Sequence, residues 1–95
     1  MFNETEVKEQ RVDRLPQYGE AIVYVDPVGK AHQALVTCPH GVNCVNLVYV
    51  SRDPDRKDTN GRQIERQSSS MHASVVPVWG NYWRYVDEPA KPTET

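Results

Sequence analysis

Between residues 20 and 86, apolar and polar side chains alternate in short runs separated by turn residues, the period-two signature of β-strands. Residues 20–25 place Ala21, Val23 and Val25 on one face and Ile22 and Tyr24 on the other. Asp26-Pro27-Val28-Gly29 then supplies a turn: Asp opens it, Pro presets φ at the next position, and Gly accepts positive φ at the end. Residues 30–37 return through Ala31, Ala34, Leu35 and Val36, which predicts a hairpin. A second turn falls at residues 39–43, and residues 45–51, the most β-prone stretch of the chain, are expected in a central strand.

The second half is less regular. Residues 52–61 form a charged loop ending in Asn60-Gly61, the dipeptide suited to a tight turn with positive φ. Residues 62–67 resume a strand whose main apolar residue is Ile64, so most of its surface is expected to face water. Ser68-Ser69-Ser70 interrupts the pattern at an expected bulge or sheet corner. Residues 71–76 follow the interruption, and Pro77 excludes a central ladder position there. The last strand, 82–86, sets Trp83 opposite in facing to Tyr82 and Arg84. Five short strands at this spacing predict an all-β fold, a small five-stranded barrel over residues 17–86.

Two polar flanks complete the chain. Residues 1–16 alternate charges with isolated apolar residues, Val7, Val12 and Leu15, and read as one weakly amphipathic helix or as an extended arm. Residues 87–95 are rich in proline and polar groups, the composition of a mobile tail, and contain a Pro89-Ala90-Lys91-Pro92 spacing able to adopt polyproline II. With 95 residues the chain can build one core, burying on the order of 60% of its unfolded surface. Its mean hydropathy of -0.70 marks the apolar part as thin, so stability is expected to lean on neighbours.

Charge and motifs narrow the chemistry. A net charge of -2 gives no overall positive field for nucleic acid. The strongest basic cluster, Arg52, Arg56, Lys57, Arg62 and Arg66, meets Asp53, Asp55, Asp58 and Glu65 and reads as a self-neutralising loop. Cys38, His40 and Cys44 are zinc-ligand types, but Cys-x5-Cys with one histidine between does not match a familiar zinc knuckle, and no metal or other cofactor is expected. The alternative is two free cysteines bracketing a turn. Ser68, Ser69, Ser70 and His72 lack nucleophile-elbow glycines, so no catalytic residue and no enzyme are expected. Trp79, Tyr82, Trp83 and Tyr85 supply core volume, with one or more expected at the surface as a partner anchor. There is no run of eighteen apolar residues, and the start lacks the features of a signal peptide, so the expectation is a soluble protein made in the cytoplasm without membrane contact.

Residues 21–36 around Asp26-Pro27-Val28-Gly29-Lys30, residues 45–51 through Leu47-Val48-Tyr49, Gly61 to Arg66 with His72, and Gly80-Asn81-Tyr82-Trp83-Arg84 resemble small, mostly uncharacterised proteins of tailed phages and prophages. The resemblance spans residues 21–85 and leaves out the cysteine loop. It implies an SH3-like barrel of viral origin, synthesised in the host cytoplasm and located in the virion, and it transfers no site. The function expected from it is non-enzymatic: capsid decoration (cement) or a head-tail accessory, with extended N- and C-terminal arms lying across neighbours. Partners would be viral structural proteins such as the major capsid protein, with self-association as a further option. Contact residues would be Phe2, Val7, Trp79, Tyr82, Tyr85, Pro89 and Pro92. The alternative is a small phage adaptor that binds a host protein or nucleic acid, including a host-defence inhibitor, through Arg52, Arg56 and Lys57.

Overall fold

The structure, a computed structural model, describes residues 14–76 and 80–95. Phe2, Val7 and Trp79 therefore lie outside the described residues. The chain runs through strands β1 (Ala21–Val25), β2 (Ala31–Pro39), β3 (Cys44–Val50), β4 (Lys57–Asp58), β5 (Gly61–Arg62) and β6 (Ile64–Met71), a 3-10 turn (Ala73–Val75), and β7 (Tyr82–Tyr85). Five strands form one antiparallel sheet in the order β6-β3-β2-β1-β7, while β4 and β5 make a separate small hairpin. The large sheet curls into a half-barrel, and its two outer strands meet at one end through a parallel bridge between His72 and Trp83.

The alternating pattern sets the two faces. Ile22 and Tyr24 on β1, Ala34 and Val36 on β2, Val45 and Leu47 on β3, and Trp83 and Tyr85 on β7 line the concave side and form the core, with Tyr49 packed against them. Trp83 and Tyr85 meet edge to face with ring centroids 5.0 Å apart. Tyr82 and Trp83 are fully buried and Tyr85 is 2% exposed, so of the four aromatics from which a surface anchor was expected only Trp79, outside the described residues, is not placed in the interior. The alternation itself holds, because Tyr82 points to the convex side; that side is covered there as well.

Three local features have physical causes, the first of them the bulge expected at the serine run. β6 runs through Ser68-Ser69-Ser70 without a break, absorbing a register shift against β3 by putting Ser69 at φ 54. The Asn46 side chain stabilises this bulge by accepting the Ser69 N–H at 2.9 Å. Beyond the serines β6 ends at Met71, because the His72 ring accepts the Ser74 N–H at 3.1 Å and caps the 3-10 turn. At the start of β7, Gly80 passes so close to the β1–β2 turn that a Cβ would stand 2.6 Å from the Asp26 carbonyl oxygen.

The C-terminal segment does not extend away as an arm. It folds back over the convex face beside β7, held by Glu94. The Arg84 guanidinium grips the Glu94 carboxylate, with Nη2 to Oε1 at 2.8 Å and Nε to Oε2 at 3.0 Å, and Tyr82 donates its hydroxyl to Oε2 at 2.5 Å. Lys91 Nζ lies 4.5 Å above the Tyr82 ring and donates to the Val76 carbonyl, and the Thr95 N–H reaches the Gly29 carbonyl at 2.9 Å. A polar composition suited to a free tail thus becomes a second layer, because one nearly buried carboxylate, 5% exposed, finds a bidentate partner.

Burial acts to raise the Glu94 pKa, and the hydrogen bonds from Arg84 and Tyr82 overcome it, leaving the group below its ordinary value. Its stabilising contribution is therefore complete above the ordinary glutamate pKa and is lost as pH falls through the lowered folded value. Glu94→Gln is expected to cost about 3 kcal/mol at neutral pH, with the gap to the parent closing as pH falls below the ordinary glutamate pKa and through the lowered folded value. Denaturant unfolding of both proteins across pH checks this; parallel stability profiles would contradict it.

Candidate docking face

The convex face changes character along its length. Where the tail lies, Val25 and Tyr82 are fully buried. Two residues further along β1, Val23 is half-buried and Ala21 exposed, and here the face opens into a groove of about 530 Å³. Strand pairing assembles it: Ala21 lies opposite Leu35, Leu35 opposite Val48, and Val50 opposite Ile64, so alternate residues of four adjacent strands point the same way. Val86, just after β7, completes the far side, and Gln33 is the one polar side chain on this outward face of the lining. Leu35, Val50, Ile64 and Val86 are 48%, 54%, 56% and 62% exposed. Scattered exposed apolar residues are ordinary, whereas a contiguous row across a sheet is the mark of an interaction surface. The lining contains no charged residue, so Gln33 is the one outward side chain in it that resists desolvation by an apolar partner.

A second, polar concavity of about 360 Å³ lies at the β1–β2 turn and is lined by Asp26, Tyr49, Ser51, Arg52, Asp53 and Glu65, among others. Its centre is Asp26. Oδ1 accepts the N–H groups of Val28 and Lys30, each at 3.0 Å, while Oδ2 accepts His32 Nε2 at 2.8 Å and Arg52 Nη1 at 3.2 Å. Burial works to raise the Asp26 pKa, and these hydrogen bonds, led by His32, bring it below the usual carboxylate range. The His32 ring also packs on Tyr24 and Tyr49, and burial pushes the Tyr24 hydroxyl up to about 12. With four donors on one carboxylate, this cluster is a structural joint.

The basic loop is similarly engaged. Arg52 is tied to Asp26, and Arg56 forms a two-pronged bond to Glu65 at 2.6 and 3.1 Å, while Lys57 begins the exposed β4–β5 hairpin. In the cysteine loop both thiols are free, His40 Nε2 sits 3.1 Å from Asn46 Oδ1, and the Tyr18 hydroxyl lies 3.9 Å from the Cys38 sulfur. Among the described residues, no three His, Cys, Asp or Glu groups converge as a metal site. Among these residues, too, no helix is long and apolar enough to cross a membrane. Pro89 and Pro92 are exposed on the folded-back tail.

Reading the sequence alone missed a hydrogen-bonded row of Ser74, His72 and Glu88. Ser74 Oγ lies 2.8 Å from His72 Nδ1, and His72 Nε2 lies 2.8 Å from Glu88 Oε1, which also accepts the Tyr85 N–H at 2.7 Å. Since Nδ1 already accepts the Ser74 backbone N–H, the imidazole proton belongs on Nε2, facing the carboxylate. The lone pair that would activate the serine hydroxyl is the one used to cap the 3-10 turn, so the row acts as a brace between β6 and the tail. The sixteen-position separation of His72 and Glu88 hid it, and only the tertiary fold brings the two together.

No family model matches the chain, and neither a curated protein nor a solved structure proves similar to it. The geometry of the convex face is therefore the chief guide to function. As a check on the polar joint, Asp26→Ala is expected to lower stability by about 3 kcal/mol, and Arg52→Ala, whose side chain is 49% exposed, by no more than about 1 kcal/mol. Equal losses in urea unfolding would mean that Arg52, and not the turn, depends on the carboxylate.

Proposed function

We propose that this chain is a non-enzymatic docking module with an SH3-like barrel, serving as a phage virion accessory that decorates a capsid or joins head and tail components. The observation carrying the reading is the uncharged groove across four strands, with Leu35, Val50, Ile64 and Val86 each about half exposed or more. The resemblance of residues 21–85 to tailed-phage proteins supplies the viral setting. The mechanism is additive: each copy covers a few apolar side chains worth about 1 kcal/mol apiece when fully buried, and many copies on one lattice multiply a modest contact. Within this reading the contact surface moves from Tyr82 and Tyr85, which build the fold, to the convex side of β1, β2, β3 and β6.

Mass spectrometry of purified particles should detect the protein, and particles that lack it should lose their contents at lower temperature. Leu35→Asp combined with Ile64→Asp changes exposed positions, so stability should remain within about 1 kcal/mol of the parent while retention on particles drops at least tenfold. Undiminished retention of the double variant would remove the groove from the interface, and absence of the parent from particles would remove the virion role altogether.

A further inference from the structure

Two rows of side chains run in parallel across the convex groove. Cross-strand pairing links Ala21 to Leu35, Leu35 to Val48 and Val48 to Arg66, so the first row passes from β1 through β2 and β3 and ends on a cation at β6. The second row, two residues along each strand, sets Val23 opposite Gln33 and Val50 opposite Ile64. Arg66 differs from the other described arginines. Arg14 is held by Glu20, Arg52 by Asp26, Arg56 by Glu65 and Arg84 by Glu94, while Arg62 donates to the carbonyls of Ser51 and Arg52. Arg66 is exposed and has no such partner among the described residues.

We propose that the groove receives an amphipathic α-helix of the docking partner, laid across the strands, whose carboxylate side chain at the β6 end pairs with Arg66. Backbone chemistry decides the conformation of the occupant. In β1, β2 and β3 the N–H and C=O groups are directed at neighbouring strands on both sides, so the floor offers a docked segment side chains alone. An extended segment pressed onto it would bury its own peptide groups without partners. A helix satisfies those groups internally and presents only side chains to the floor.

Dimensions and polarity agree. From β1 to β6 is three strand spacings, about 14 Å, and three turns of helix are about 16 Å long. The two rows lie about 7 Å apart, so side chains at i, i+3, i+4 and i+7 settle between and over them. Gln33, exposed in the second row, calls for a polar group opposite it, and Arg66 for an anion, because hydrocarbon over either would strand a hydrogen-bonding group or a charge. The ion pair stands at one bank, so it also fixes which end of the helix lies over β6. This inference rests on the groove being the docking surface and adds the chemistry of what docks there.

The probe is a fluorescein-labelled, stapled helical peptide of about three turns, with leucine at i, i+3 and i+7, glutamine at i+4 to face Gln33, and glutamate on the following turn. A second peptide carries lysine in place of the glutamate. In anisotropy titrations of the full chain the glutamate peptide is expected to bind tighter than the lysine peptide by roughly fivefold or more, and Arg66→Glu to reverse that order. The Leu35→Asp, Ile64→Asp protein should bind neither. No saturable binding of either peptide would overturn the helix, and equal affinities, or a preference that survives Arg66→Glu, would overturn the ion pair. If the chain alone sediments as a dimer that the double variant abolishes, a second copy is the occupant and the proposal fails. Particle retention of the double variant reports separately on docking. Lost retention without peptide binding to the parent defeats the helix alone, whereas peptide binding with full retention defeats the groove as the particle contact.

Discussion

Asp26 is where otherwise independent pieces of chain are joined. Its carboxylate takes the two N–H groups that shape the β1–β2 turn, the ring of His32 on β2 and the guanidinium of Arg52 beyond β3. Its carbonyl oxygen takes the N–H of Gly29 within the turn and that of Asn81 at the entry to β7. Gly29 in turn offers its carbonyl to Thr95, bringing the C-terminal segment to the same corner. A 95-residue domain has limited apolar area with which to align loops, so a buried acid with every acceptor site occupied takes over part of that task. The same arrangement makes the corner rigid and leaves little free chemistry there.

Much of the fold was legible because it rests on local chemistry. The Asp26-Pro27-Val28-Gly29 turn, with Gly29 at φ 89, and the Asn60-Gly61 reversal, with Gly61 at φ 116, lie where turn residues put them. The alternation of Ile22 and Tyr24 against Ala21, Val23 and Val25 correctly divides the sheet into two faces. What stayed hidden depends on pairs distant in sequence. In the sequence Glu94 is one more charge in a polar tail until Arg84 and Tyr82 stand beside it, and Tyr82 is one of several candidate anchors until that tail covers it. Neither residue carries a signal of its own, because the interaction exists only once β7 has been placed against β1.

The groove was only half visible for the same reason. Ile64 stood out as a lone apolar residue on a watery strand, and Leu35 read as one more residue of a hairpin. Only the register, with Ala21 facing Leu35, Leu35 facing Val48 and Val50 facing Ile64, turns isolated side chains into a continuous surface. The tail then defines the limits of that surface by covering the Val25 and Tyr82 end and leaving the Ala21 and Val86 end open. One convex face thus divides into a part used for folding and a part left over.

The serine bulge on β6 bears on how such a protein can be packed at high density. An outer strand with regular geometry invites another chain to add to it and so to propagate a sheet. Here the outer strand carries Glu65, Arg66 and three serines, and its backbone leaves the β conformation at Ser69. That edge is a poor template for templated growth, so crowding of many copies need not lead to amyloid-like polymerisation. Association is left to side chains on the broad face, where shape and composition select the partner.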